Sequence, residues 1–160
     1  MNAMKEKRTE LGRLKHKASG IKKAPVRIEE TLVPKSEDLD FLDQKLNEEF
    51  VGKREVRSFG FFIRNGDGEI IAGCAGRMGF KSIYTGQLWV HPNYRKQNLG
   101  RKLMDKVHEL GRKSGCYFAT VGALDFQGSK GFYEKLGYVV EYKGEGYVDN
   151  STCFFLKKTL

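Results

Sequence analysis

The sequence predicts an α/β domain built around one mixed sheet. Short runs rich in β-branched and aromatic residues recur between Arg57 and Val90, two of them joined by Asn65-Gly66-Asp67-Gly68. A strongly amphipathic segment, Asn98 to Lys113, follows the last of these runs. Beyond it, strand-like runs return on either side of a second, shorter helical pattern. The order is therefore strand hairpins and then β-α-β-α-β-β.

From the N-terminus, Leu11 and Leu14 give residues 5–17 a weak helical stripe that ends at Ser19-Gly20. Val26 to Val33 alternates as a first strand, and Pro34 breaks it. Ser36 is a good N-cap. Leu39, Leu42, Leu46 and Phe50 recur at three- and four-residue spacing, so residues 36–52 read as an amphipathic helix. Arg57 to Arg64 is a strand, and the Asn-Gly and Asp-Gly pairs after it tolerate the positive φ of a hairpin turn. Glu69 to Gly79 returns as its partner, with Gly73, Gly76 and Gly79 marking bulges or close backbone approach. Ile83 to Val90 is the next strand, interrupted at Gly86. In the helix Asn98 to Lys113, Leu99, Leu103, Val107 and Leu110 form the stripe to be buried, and Gly115 is the stop. Cys116 to Ala123 reads as a buried strand, Gly128 to Leu136 as a short helix ended by Gly137, and Tyr138 to Tyr142 and Thr152 to Leu156 as the last two strands.

Composition narrows the function classes. The chain has 160 residues, enough for one domain with a real core. No apolar run approaches the ~20 residues of a membrane span, and the charged N-terminus lacks the apolar centre of a secretory signal, so the cytoplasm is the expected location. Cys74, Cys116 and Cys153 sit singly in apolar segments without ligand spacing, which points to core hydrophobes and to no metal. The formal charge of +9 is concentrated at one end, where residues 1–27 carry nine Lys/Arg against Glu6 and Glu10. The rest is close to neutral. Residues 1–24 therefore read as a basic extension and 25–160 as the domain, and nucleic acid enters as a partner only through that extension.

The segment from Val90 to Met104 carries the strongest signal. It reads as a strand end, a basic turn and the first turn of a helix, an arrangement that aims unpaired backbone N–H groups and the positive end of a helix dipole at one point. Such a site holds a pyrophosphate or another anion. Leu88-Trp89-Val90, then Arg95-Lys96-Gln97-Asn98-Leu99-Gly100, resembles the acyl-CoA-binding motif of the GNAT superfamily of N-acetyltransferases, R/Q-x-x-G-x-G/A. Asn98 stands where that pattern has its first glycine, and asparagine is the residue that best tolerates the left-handed region after glycine. Gly131-Phe132-Tyr133-Glu134-Lys135-Leu136-Gly137-Tyr138 is similar to the second hallmark of the same family.

The resemblance, over residues 25–160, implies a mostly antiparallel mixed sheet flanked by helices, with acetyl-CoA as co-substrate. It implies that the amides from Lys96 to Arg101 cradle the pyrophosphate and that Leu88, Trp89 and Val90 line the pantetheine arm, with Gly86 as the place where the strand parts from its neighbour. It places Tyr133 as the hydroxyl that protonates the departing thiolate after direct attack by an amine. No carboxylate occupies the strand positions where relatives place a general base, which leaves Asp125, His91 and Glu141 as candidates. The acceptor pocket is expected between the first helix, Tyr84 and the loop from Tyr142 to Asn150, where Glu145 and Asp149 offer carboxylates. The leading reading is an N-acetyltransferase acting on a primary amine of a small molecule or peptide, as a monomer or homodimer. The alternatives are a catalytically silent acyl-CoA-binding domain and a nucleic-acid- or ribosome-associated protein led by the basic extension.

Overall fold

A computed structural model describes residues 27–49 and 56–160. These fall into two units, 27–35 and 36–160. The helical stripe expected over residues 5–17 lies outside the described residues. Residues 27–35 contain neither helix nor strand, and Ile28, Leu32 and Val33 are exposed. The strand expected from Val26 to Val33 is therefore corrected over its described part: alternation supplies a strand with a face to bury, but no neighbouring strand pairs with it here.

The second unit opens with helix α1, Ser36–Glu49. It buries none of its residues, and Leu39, Phe41, Leu42 and Leu46 stay exposed. Polar contacts tie it to the sheet: Asn47 donates to the Val56 carbonyl (3.3 Å) and accepts from the Val56 N–H (2.9 Å), and Asp43 lies 3.5 Å from Arg77.

The sheet follows, with β1 Arg57–Arg64, β2 Ile70–Gly79, β3 Ser82–Val90, β4 Phe118–Leu124, β5 Val139–Gly144 and β6 Cys153–Thr159. Helix α2, Leu99–Lys113, links β3 to β4, and the short helix α3, Lys130–Glu134, precedes β5. The strand order is β1-β2-β3-β4-β6-β5, so the last strand inserts between β4 and β5. Only β3 and β4 run parallel; every other neighbouring pair is antiparallel. The β1–β2 turn forms as its residues dictate: the Asn65 carboxamide oxygen accepts from Asp67 N (3.1 Å) and Glu69 N (2.9 Å).

The apolar stripe of α2 does what its spacing requires. Leu103, Met104 and Val107 are buried together with Ala72, Cys74, Ile83, Ala119 and Val121 of the sheet. All three cysteines are buried, as core hydrophobes.

One polar pair sits inside this core. His108 of α2, 4% exposed, places Nε2 2.9 Å from the Tyr138 hydroxyl. Burial, and then the nearby Lys158, lower the His108 pKa to about 4. The unfolded chain therefore binds a proton more readily than the native one between pH 6.5 and about 4, so stability is present above this window and lost as pH falls through it. The loss is on the order of 2–3 kcal/mol. Urea midpoints measured from pH 7 to pH 4 should fall accordingly, and His108→Asn should flatten the dependence. Parallel curves for the two proteins would contradict this assignment.

Candidate active site

The site begins where two strands part. β3 and β4 pair from Ser82 with Phe118 to Thr85 with Val121, and no further. Beyond that point β3 continues to Val90 paired with β2, and β4 continues to Leu124 paired with β6. The divergence has a local cause. Ala75 pairs with Gln87 and Gly76 with Thr85, which leaves Gly86 as the extra residue of a bulge. The same bulge presses β2 against β3 so tightly that a Cβ on Gly76 would lie 1.9 Å from the Tyr84 carbonyl oxygen. Thr85 sits at the apex of the fork, with its buried hydroxyl lacking a partner.

Two cavities open from this fork. The first, about 610 Å³, is lined by Gly86, Trp89, Gly122, Gln127 and Tyr133 among others. The second, about 520 Å³, reaches the loop before α2 and includes Arg95, Lys96, Asn98, Arg101 and Lys135 in its wall. Leu88, Trp89, Ser129 and Phe132 line both, so they join end to end. Each has the size of a small-ligand site.

The second cavity is an anion cradle. Lys96 (φ 60°) and Asn98 (φ 61°) both adopt the left-handed conformation, with Asn98 as the N-cap of α2. The Asn98 side chain makes no capping hydrogen bond, and the first turn holds no acidic residue. The first intrahelical bond runs from Lys102 N to Asn98 O, so the N–H groups of Leu99, Gly100 and Arg101 are left without an acceptor among the described residues. Arg95 folds back, donating Nε–H to the Val90 carbonyl (3.1 Å), which pins the loop to the end of β3. A Cβ on Gly100 would come 3.3 Å from the Phe132 ring, so the helix start packs closely on the element that carries Tyr133.

Main-chain donors, a helix dipole and four cationic side chains fit a pyrophosphate-bearing carrier such as acetyl-CoA. Of the residues singled out in sequence for this role, Leu88, Trp89, Val90, Arg95, Lys96, Asn98, Leu99, Gly100 and Arg101 line the cavity, and Gln97 does not. Asn98→Ala should weaken acetyl-CoA binding by roughly fivefold, the equivalent of about 1 kcal/mol of left-handed strain, whereas Asn98→Gly should preserve it. Calorimetric titration of the two variants checks this, and equal affinities would contradict it.

Tyr133, from α3, is 6% exposed and lines the first cavity. Its ring packs between Phe132 (5.2 Å between centroids) and Tyr138 (5.6 Å). Its hydroxyl makes no hydrogen bond with a described residue. Burial first, and the neighbouring Cys74 and Tyr84 second, push its pKa up to about 12. It is thus a hydroxyl held in its protonated form.

The base candidates go elsewhere. Both Asp125 carboxylate oxygens are taken by backbone, accepting from Phe126 N (2.6 Å) and Thr152 N (2.9 Å). Glu141 pairs with Lys157 (2.8 Å). His91 accepts from Asn93 N at Nδ1 (3.2 Å) and packs against Trp89 and Tyr94. None of the three lines either cavity, and neither do Tyr84, Glu145, Asp149 or the residues of α1. Sequence reasoning missed Cys74, Ser129 and Phe62, which line the first cavity, and Lys135, which lines the second. Gln127 faces the fork, accepting from Leu124 N (3.3 Å) through its carboxamide oxygen, which leaves its NH2 group able to donate. Phe132 and Lys135 flank Tyr133 in the second motif, and that adjacency was the available signal.

A forked sheet with main-chain donors and cationic side chains at one end of the fork and a protonated tyrosine inside it has the form of a site for a phosphorylated carrier. Residues 26–138 match the family model described as acetyltransferase (GNAT) family, and the chain belongs to that family. It is an acetyltransferase, and acetyl-CoA is its co-substrate. A curated relative, blasticidin-S acetyltransferase of Streptomyces morookaense, is 30% identical over 94 residues, covering 58% of this chain and 68% of its own. An acetyltransferase structure from Bacillus cereus superposes with a TM-score of 0.66 at 20% identity, over 82% of this chain and 98% of that one. A structure from Bacillus anthracis in complex with acetyl coenzyme A gives 0.57 at 12% identity, over 71% and 67%. The six-stranded mixed sheet with flanking helices is the fold expected from the resemblance.

Proposed function

We propose that the protein is an N-acetyltransferase that passes the acetyl group of acetyl-CoA directly to a primary amine of a small molecule. The observation that carries this reading is the wall of Leu88, Trp89, Ser129 and Phe132 that the two cavities share at the fork, with cationic side chains lining one cavity and Tyr133 the other. When bound, acetyl-CoA supplies an activated acetyl thioester. The residues of this chain do the remainder. Backbone donors of the α2 start hold the pyrophosphate, and the edge of β3 facing the fork offers main-chain groups to the amide-bearing arm in the manner of an added strand. Tyr133 holds a proton where a thiolate must leave. The name of the curated relative, blasticidin-S acetyltransferase, supports a small-molecule acceptor over a peptide.

Thiol release from acetyl-CoA, followed against a panel of primary amines, tests this reading. Turnover with at least one amine is expected. Acetyl-CoA binding with no turnover on any amine would favour the silent-binder alternative, which the lack of a carboxylate among the described lining residues supports. We further infer a cytoplasmic enzyme, monomeric or homodimeric, with residues 1–24 as a basic extension in sequence to the domain of residues 25–160. Among the described residues no helix is long and apolar enough to cross a membrane. Binding to nucleic acid that survives removal of residues 1–24 would count against assigning any such activity to them.

A further inference from the structure

The two arms of the fork differ in chemical character. Around the cradle stand Arg95, Lys96, Arg101 and Lys135. The other arm has no side chain among its described lining residues that carries charge at neutral pH; its polar members are Gln87, Gln127, Ser129, Cys74 and Tyr133. The last two are the titratable ones. Burial raises both the Cys74 thiol and the Tyr133 phenol, so neither carries charge at neutral pH.

The same arm is paved with small residues and walled with rings. Gly73 pairs with Phe62 on one side and with Trp89 on the other, so the two aromatic residues flank a glycine on one face of the sheet. A Cβ on Gly73 would meet the Phe62 ring at 2.9 Å, so that ring leans across the glycine floor while remaining 58% exposed. Trp89 is 48% exposed. Two half-open aromatic rings on a floor of backbone form a surface suited to stacking a planar group.

We propose that the acceptor is a planar aromatic or heteroaromatic amine of low basicity, bound on the Phe62 and Trp89 wall and already neutral when it enters the fork. This deepens, and rests on, the N-acetyltransferase reading. An alkylamine would arrive as a cation, pay its desolvation in an uncharged arm, and find no described group able to take its proton. A neutral arylamine avoids both costs. Its nitrogen lone pair forms the new N–C bond as the C–S bond breaks with its electrons on sulfur. Tyr133 gives that sulfur a proton, and the surplus proton on nitrogen restores the Tyr133 hydroxyl.

The test uses three amines of similar size at saturating acetyl-CoA: aniline, benzylamine and cyclohexylamine, with the full-length protein. At pH 7, kcat/KM is expected to fall in that order, with aniline at least tenfold above cyclohexylamine and its rate nearly flat from pH 6 to 8. Phe62→Ala, a change at an exposed side chain, should raise KM for aniline about tenfold while acetyl-CoA affinity stays within twofold. Preference for cyclohexylamine, or an aniline KM indifferent to Phe62→Ala, would overturn this inference and leave the N-acetyltransferase reading intact. Acetyl-CoA binding with no acetylation of any amine would remove both.

Discussion

Tyr133→Phe is expected to lower kcat by about 10²-fold or more while leaving acetyl-CoA affinity within twofold, because general-acid assistance contributes 10²–10⁴ and the ring itself is retained. The ring is the structural part of this residue. It fills the space between Phe132 and Tyr138, and phenylalanine fills it equally. The hydroxyl is the functional part, since it has no partner among the described residues and so supports nothing in the fold. Its pKa of about 12 adds a second check: kcat should show no descending limb from this group until pH approaches that value. Steady-state rates together with calorimetric binding decide the matter. A kcat within twofold of the parent would remove Tyr133 from the chemistry.

Gly76→Ala should destabilise the protein by about 3–5 kcal/mol, at the severe end for a single substitution. The added methyl would sit 1.9 Å from the Tyr84 carbonyl oxygen and 2.9 Å from its carbon, both backbone atoms that cannot rotate aside. Relief requires β2 and β3 to separate at the bulge, which is also the origin of the fork. Partial relaxation should therefore appear as weaker acetyl-CoA binding at temperatures where the variant is still folded. Chemical denaturation measures the first effect and titration the second. Ala75→Gly, one residue away, serves as a control for glycine content. A Gly76→Ala midpoint equal to that of the parent would show that this contact yields more readily than its geometry implies.

How much of this was legible in the sequence depended on whether a local rule was also the deciding one. Arg57–Arg64 appears as written because a turn with side-chain support and an apolar alternation both specify it locally. Helix α2 and its left-handed entry at Asn98 were legible for the same reason. Residues 27–33, the described part of the expected first strand, form no strand, because alternation supplies one only when a partner is available. The stripe on α1 was real as a pattern, yet its leucines stay exposed and Asn47 and Asp43 make the described contacts instead. The proposed bases failed for a third reason. Asp125 and Glu141 are acidic residues near the right elements in sequence, but a carboxylate in a short turn is claimed first by nearby backbone N–H groups, and one on a surface strand by a neighbouring lysine. The lining of the fork, from Phe62 on β1 to Ser129 before α3, is assembled across strands, and no local pattern announces it.

The fork between β3 and β4 has a thermodynamic side. Beyond Thr85 and Val121 the two central strands give up the rungs that would join them, so the interior of the sheet is left incomplete by design of the sequence. A ligand that occupies the gap and takes up those main-chain groups does more than bind a surface: it supplies cross-strand bonding that the polypeptide alone omits. Because only the folded chain offers the gap, occupancy shifts the folding equilibrium by RT ln(1 + [L]/Kd). The resistance of this protein to unfolding is thus set in part by how much acyl carrier surrounds it.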